Sequence, residues 1–375
     1  MRDLVIDTSY LVETLQALLD IPSPSGMTDE AVSHVCLELS NLGIDFELTR
    51  RGAIRADLPG VQSTPDRAIV SHLDTLGAMV KGFRDNGRLD VVPIGTWSAR
   101  FAEGARVTVF SDGDRRFRGT LLPLKASGHV YHDEVDLQTA SWTNLELRLD
   151  EKTDDAEATR ALGINVGDTI AVDPSFDMTD NGFINARHLD DKAGVAAVLA
   201  AAKAVKEHDV RLAMDCHLLF TISEEVGVGA SHVLHGDVAE LVSIDNGTIA
   251  PGQNTAEYGV TIAMQDSSGP FDWHLTRSLI AICERYGIDH RRDVFRYYRS
   301  DAAAAVEAGN DIRAGLVCFA LDSSHGYERT HLDSLSSLSR LLVLYMQNRS
   351  LFERDTEALG PIGDLPASEA DKLRN

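Results

Sequence analysis

The 375-residue sequence is short of paired cysteines, of cations and of long apolar runs, and each shortage removes a class of function. Its four cysteines, Cys36, Cys216, Cys283 and Cys318, lie far apart in apolar segments, with no CxxC pair. Buried, reduced thiols are expected, and neither a disulfide framework nor a thiolate metal site is. Lys plus Arg number 35 against 58 Asp plus Glu, a formal net charge of −23. So acidic a chain lacks the clustered cations that grip a phosphate backbone, and it gains no pull toward anionic membranes. No stretch approaches the ~20 apolar residues of a membrane span. The opening "MRDLVIDTSYLVETLQALLDIPS" interrupts its apolar positions with Asp3, Asp7 and Glu13, unlike a signal peptide. The expected compartment is the cytoplasm. No internal repeat or low-complexity tract is present.

What is there reads as a soluble globular chain, 43% hydrophobic and 25% charged. Its length calls for one large domain plus a smaller one. Residues 8–20 and 29–42 carry apolar groups at helical spacing, and "RAIVSHLD" follows as a strand at 67–74. From about 77 to 178 the pattern changes to short alternating runs: "RLDVVPIG", "ARVTVFS", "LELRLD" and "DTIAVD". Gly and Asp turns separate them, and no long helix is expected among them except near 154–163. That is the pattern of a small antiparallel barrel or sandwich. From 179 strands and helices alternate again: a helix at 193–208, strands "CHLLFTIS" and "ELVSID", a helix near 271–286 and a strand "VFRYY" at 294–298. A helix "DAAAAVEAG", a strand "GLVCFAL" and a last helix near 335–349 follow. The expected fold is an α/β catalytic domain over 1–76 and 179–360, its mostly parallel sheet sandwiched by helices. An all-β domain is inserted at 77–178, and a solvated tail occupies 361–375.

Parallel sheets place function at the carboxyl ends of their strands. There the sequence puts His72 and Asp74, then Asp190 and Asp191 in "ARHLDDKAG", Glu224 and Glu225 in "TISEEVG", Asp245, Asp301, and His325, Glu328 and His331. Singly, each has an ordinary structural reading. His72 suits a core imidazole, the Asp pair suits helix capping, and Asp245 before Asn-Gly suits a turn. Together, so many acids at one end of a sheet would raise one another's pKa values unless cations neutralised them. Two histidines and three acids meet the needs of two divalent ions sharing a bridging carboxylate. A base that is not itself a ligand is then required, and adjacent Glu side chains at a strand end point in different directions. Glu225 as ligand and Glu224 as general base satisfies this. Asp74, two residues beyond His72 on an extended strand, is expected to accept a hydrogen bond from that imidazole.

The ordered series "SHLDT", "RHLDDKAG", "TISEEVG", "SIDNG", "SDAAA" and "LDSSHGYE" resembles the M42 family of co-catalytic metallo-aminopeptidases, the TET-like or glutamyl aminopeptidase group. The resemblance runs along nearly the whole chain. It implies a phosphorylase/hydrolase-like catalytic domain with a barrel or PDZ-like β insertion. It also implies Asp190 as the bridging ligand, His72 and Asp245 completing one site, Glu225 and His325 the other, and Glu224 as base. The ions implied are zinc first, with cobalt or manganese as alternatives. A cis peptide between Asp190 and Asp191 and a homo-oligomer, often a dodecamer in this family, follow from the same resemblance. Two positions depart from the pattern: Lys192 stands where the family usually has Arg, and "HGYERTH" replaces His-Ser-Pro-x-Glu, which makes His331 a competitor of His325. The stretch "SSHGYERTH" and the insertion also resemble an M42 branch found beside genes for the osmolyte N-acetylglutaminylglutamine amide.

The leading function is a two-metal aminopeptidase cleaving the amino-terminal bonds of short peptides or peptide-like amides, using a metal-bridging water and a glutamate base. A deacylase or carboxypeptidase-type amidohydrolase on the same scaffold is the alternative. A catalytically silent oligomeric scaffold is the third, disfavoured by the intact Glu224.

Overall fold

The alanine-rich run after Asp191 sets the architecture. A helix apolar on nearly every face has to be buried on nearly every face. Leu189–Glu207 is buried through Val205 apart from half-buried Lys203, with only its end at Lys206 and Glu207 exposed. Its small side chains let it lie between the Thr8–Asp20 and Leu332–Met346 helices and the face of the sheet. In this computed structural model residues 1–352 and 355 are described, and the expected tail over 361–375 lies outside them.

The described residues form one twelve-stranded mixed sheet and a separate closed barrel. The parallel core of the sheet runs Leu212–Thr221, Gly60–His72, Val238–Ile249, Arg313–Asp322 in spatial order. These strands are near-continuous apolar runs because helices cover both faces. Antiparallel strands flank them. Ile54–Leu58 and Asp45–Leu48 extend one edge, and Glu328–His331, Phe183–Ala186 and Asp177–Met178 the other. Val260–Asp266 branches from Arg313–Asp322 and carries His290–Val294 and Gly269–Pro270.

The chain leaves the sheet at His72 and enters the barrel at Gly77. The barrel closes in the order Gly77–Phe83, Leu89–Ile94, Leu145–Leu149, Arg115–Pro123, Arg106–Ser111, Thr169–Val172. Closure removes sheet edges, and Val80, Leu89, Val107, Val109, Leu121, Leu147 and Ile170 fill the interior as a second core. The expected helix near 154–163 is Ala156–Ala161, capped by Asp155.

Several elements differ from expectation. The Asp45–Leu48/Ile54–Leu58 pair, Val260–Asp266 and the charged barrel strand Arg115–Pro123 were not legible as strands. The strand expected at 294–298 lies at His290–Val294 and reads "HRRDV", polar because it pairs on one side only. The last helix spans Leu332–Met346, not 335–349. Among the described residues all four cysteines are free, three of them buried and Cys36 half-buried. No helix there is long and apolar enough to cross a membrane.

Candidate metal centre

Five chain segments converge where the parallel strands end, the one after Arg313–Asp322 bringing His325. His72 is the last residue of Gly60–His72, Asp245 lies inside Val238–Ile249, and Glu224 and Glu225 follow Leu212–Thr221. Asp190 and Asp191 open the buried helix with non-helical dihedrals, and the peptide between them is cis. Asp191 is tied to the strand end beside the cluster. Its carboxylate accepts hydrogen bonds from the Ser71 hydroxyl and the His72 amide, and it packs over Gly194. A Cβ at 194 would fall 2.2 Å from Asp191 Oδ1, which accounts for a glycine in this helix.

Two imidazoles face Asp190 from opposite sides. His72 Nε2 lies 3.2 Å from Asp190 Oδ1, and His325 Nε2 lies 3.3 Å from Asp190 Oδ2. In each ring Nδ1 is turned to a main-chain carbonyl: Asp74 O at 2.9 Å for His72, and Thr96 O at 2.9 Å for His325. A ring that donates from Nδ1 keeps Nε2 free as a ligand, the usual arrangement of metal-binding histidine. Thr96 belongs to the loop after the barrel strand Leu89–Ile94, so the inserted barrel orients His325.

The carboxylates fall into sets of ligand spacing. One donor atom each from His72, Glu224 and Asp245 lies within 4.8 Å of the others, and so do Asp190, Glu225 and His325. Asp190, Asp191 and Asp245 form a third such set. His325 Nε2 is 3.8 Å from Glu225 Oε2, and His72 Nε2 is 3.8 Å from Glu224 Oε2. Every one of the seven site residues named from the sequence is therefore in this cluster or, for Asp74, against it. His331 is elsewhere: it caps the last helix, accepting the Asp333 amide at Nδ1, with Nε2 on Asn181 O.

Asp74 departs from expectation. The strand ends at His72, so side-chain alternation does not carry through to 74. The Asp74 carboxylate stands 3.6 Å from His72 Nδ1, farther than its own carbonyl. It accepts instead from the amides of Glu224 at 3.0 Å and Glu225 at 3.3 Å and from the Ser25 hydroxyl at 2.5 Å. Asp74 thus holds the main chain of the Glu–Glu turn. Glu328 does the same on the other side, accepting the amides of Asp190 and His325. Asp301, at a helix start, accepts from Thr221 and Ala230. Asn246, readable from the sequence only as part of a turn, donates to Asp190 Oδ2 at 2.8 Å. Its signal was an amide side chain inside an apolar strand.

The charge of the cluster is lopsided. Burial pushes the carboxyls of Glu224, Glu225 and Asp191 well up, and takes Asp245 and Glu328 to about 8 and Asp301 to about 6. Burial works against charge on the imidazoles, yet Asp190 and the neighbouring acids hold His72 well above its usual value and His325 at about 10. Asp190 itself, despite burial, is held below the carboxylate range by the two histidines. Oxygen and imidazole donors in excess, with Asp191 Oδ1 buried and unpaired, fit divalent cations of the zinc class.

The family model for M42 glutamyl aminopeptidase matches residues 52–341. The Bacillus subtilis protein named "Putative aminopeptidase YhfE" is 36% identical over 337 residues, covering 90% of this chain and 97% of that one. Two solved structures share the fold. An aminopeptidase from the archaeon Desulfurococcus kamchatkensis superposes with a TM-score of 0.82 at 22% identity, covering 95% of this chain and 99% of the other. The TET1 peptidase of Pyrococcus horikoshii, described as assembling into a tetrahedron or a large octahedral shell, has a TM-score of 0.79 at 22% identity. Here 90% of this chain and 99% of that one are covered.

Proposed function

The chain belongs to the M42 glutamyl aminopeptidase family, and from that premise we propose that it removes residues from the free amino end of short peptides with the help of two divalent ions. In this reading Asp190 would be the ligand shared by both ions, His72 and Asp245 would complete one set and Glu225 and His325 the other, and Glu224 would serve as the general base. The observation that carries this reading is the pair of Asp190 oxygens, each facing a different carbonyl-oriented imidazole. Bound in these sets, the ions would polarise the scissile carbonyl and acidify a water.

The chain's own residues supply the rest. Asn246 fixes the rotation of the Asp190 carboxylate, and Glu328 fixes its main chain. Asp74 grips the amides on which both glutamates hang. Glu224, the more exposed of the two, accepts the proton of the attacking water and returns it to the departing amine. Trp97, Leu76 and Val172 form the apolar part of a recess whose other walls include Asp190, Glu225 and His325.

Association into a homo-oligomer, as described for the TET1 peptidase of Pyrococcus horikoshii, is part of the same proposal. Hydrolysis of free-amine dipeptides, of their N-acetylated forms and of an acylated dipeptide amide, with zinc, cobalt or manganese added, tests the substrate class. Faster cleavage of the acylated forms would transfer the site to deacylase chemistry. Glu224→Gln tests the roles: metal content stays and turnover falls by about 10²–10⁴-fold. Glu225→Gln loosens an ion instead, and excess metal partly restores its activity. Because Glu224 also lies within ligand range of His72 and Asp245, the mirror-image result would exchange the two roles.

A further inference from the structure

A second cluster of ligand-type side chains lies toward the amino ends of the parallel strands. His217 and Asp57 face each other across the antiparallel pairing of Leu212–Thr221 with Ile54–Leu58. His217 precedes Thr221 by four residues, about 13 Å of strand, so this cluster is separate from the Asp190 centre. The loop following Ala230–His232 adds His235, whose ring tilts against that of His217 with centroids 4.1 Å apart. Asp57 Oδ1 sits 2.6 Å from His217 Nδ1 and 3.1 Å from His235 Nε2. One donor atom from each of the three lies within 4.8 Å of the others.

Behind them stands a supporting carboxylate. Asp66 Oδ2 is 3.3 Å from His217 Nε2 and accepts the Asp237 amide at 2.7 Å. His217 is 6% exposed and Asp66 4%, yet His217 Nε2 and Asp66 Oδ1 have no hydrogen bond. Buried polar atoms left unpaired are rare and call for an explanation. Gly236 closes the arrangement at φ +68°, where a Cβ would meet Asp66 Oδ2 at 2.2 Å and His217 Nε2 at 3.1 Å. The loop carrying His235 can approach the strands only because this residue has no side chain.

We propose that Asp57, His217 and His235 form a structural site for a divalent transition ion of the zinc class. Two imidazoles and one carboxylate are donors that suit zinc, and about 2.0–2.1 Å bonds set tetrahedral donors roughly 3.3 Å apart. The contacts of 2.6 and 3.1 Å are within a small side-chain shift of that spacing. Asp57, half-exposed, leaves a side of the site open for water as the remaining ligand. With a small turn of the ring, His217 Nε2–H would donate to Asp66 Oδ2, 3.3 Å away, which would fix the tautomer, the role a carboxylate commonly plays behind a metal-bound imidazole. Such an ion would pin the Val233–Asp237 loop to the sheet.

The test equilibrates the full-length protein with zinc alone, removes free metal by gel filtration and counts bound zinc by mass spectrometry. Asp57→Asn and His235→Ala should each hold one equivalent per chain less than the unaltered protein, whatever the Asp190 centre holds. Equal zinc in all three would overturn the proposal and leave a hydrogen-bonded Asp–His–His cluster only. Should a variant fail to fold, anomalous diffraction at the zinc edge from zinc-loaded crystals of the unaltered chain decides. A peak between Asp57, His217 and His235 supports the site, and its absence overturns it.

Discussion

Arg67 and His72, buried five residues apart on the strand Gly60–His72, live in opposite electrostatic worlds. Arg67 is fully buried, but its guanidinium meets a matched set of partners. Glu240 Oε2 receives its Nε at 3.2 Å and an Nη at 2.9 Å, and the carbonyls of Tyr345 and Asn348 take further protons. The ring of Tyr345 lies 4.1 Å beneath the guanidinium, and its hydroxyl also reaches Glu240. One cation answers one anion, and the network is closed. His72, at the other end of the strand, sits among more carboxylates than two imidazoles can balance. A balanced buried pair holds a fold together; an overcharged one waits for a cation.

Substitutions can break this contrast. The largest expected effect is Asp190→Ala, which should lose both divalent ions and all measurable peptidase activity. Retention of full metal content by that variant would remove Asp190 from its bridging role. Next is Glu240→Gln, which strands a buried guanidinium and should destabilise by about 3–5 kcal/mol in urea unfolding. The same carboxylate-to-amide change at the other pole, Asp245→Asn in the metal-stripped chain at about pH 8, should stabilise, on the order of 1 kcal/mol. Equal signs for these two variants would erase the distinction.

The smallest effect is on pH dependence. Asp245 and Glu328, ordinarily near 3.8 and 4.5, titrate at about 8 in the folded metal-free chain because they are buried beside Asp190. Between those values the folded chain keeps protons that the unfolded chain has lost, so stability falls as pH rises from about 4 to 8. His325, raised from 6.5 to about 10, loses its contribution in the same direction over its own range. Metal ions bound at the proposed centre would take the place of those protons. The gap in Tm between loaded and stripped protein should therefore widen from about pH 5.5 to about pH 8, by a few degrees in calorimetry. A constant gap would count against the imbalance.

The catalytic end was largely legible because chemistry and topology coincide there. Each apolar strand announces its end, and the first ionisable residue there, His72 at the end of one strand and Glu224 just past another, reaches the cluster. What stayed hidden depends on register. Asp57 opposes His217 only through an antiparallel pairing whose partner strand, "IRADL", is too short and too polar to stand out. Asp74 was assigned to His72 by counting along a strand that in fact stops at 72, and its carboxylate went to the Glu224 and Glu225 amides. In the barrel, "RRFRGTLLP" conceals a strand because its outward residues are arginines. The α/β class, the separate barrel and the helices around the sheet needed only periodicity, which survives in a single sequence.

The carbonyl of Thr96 on His325 bears on how such chains can be recombined. In sequence the barrel reads as a cassette to be cut out or exchanged with a relative's. Yet one of its loops supplies the atom that aims an imidazole at Asp190, and the carbonyl of Val172, at the end of another barrel strand, bonds the His188 ring at 3.0 Å. Chimaeras joined at the barrel's ends would transplant architecture intact but leave a donor ring unsteered unless the loop around Thr96 travelled with its original catalytic partner. Shuffling among relatives should thus tolerate new barrel exteriors freely, while the segment at 95–97 behaves as inherited property of the other domain.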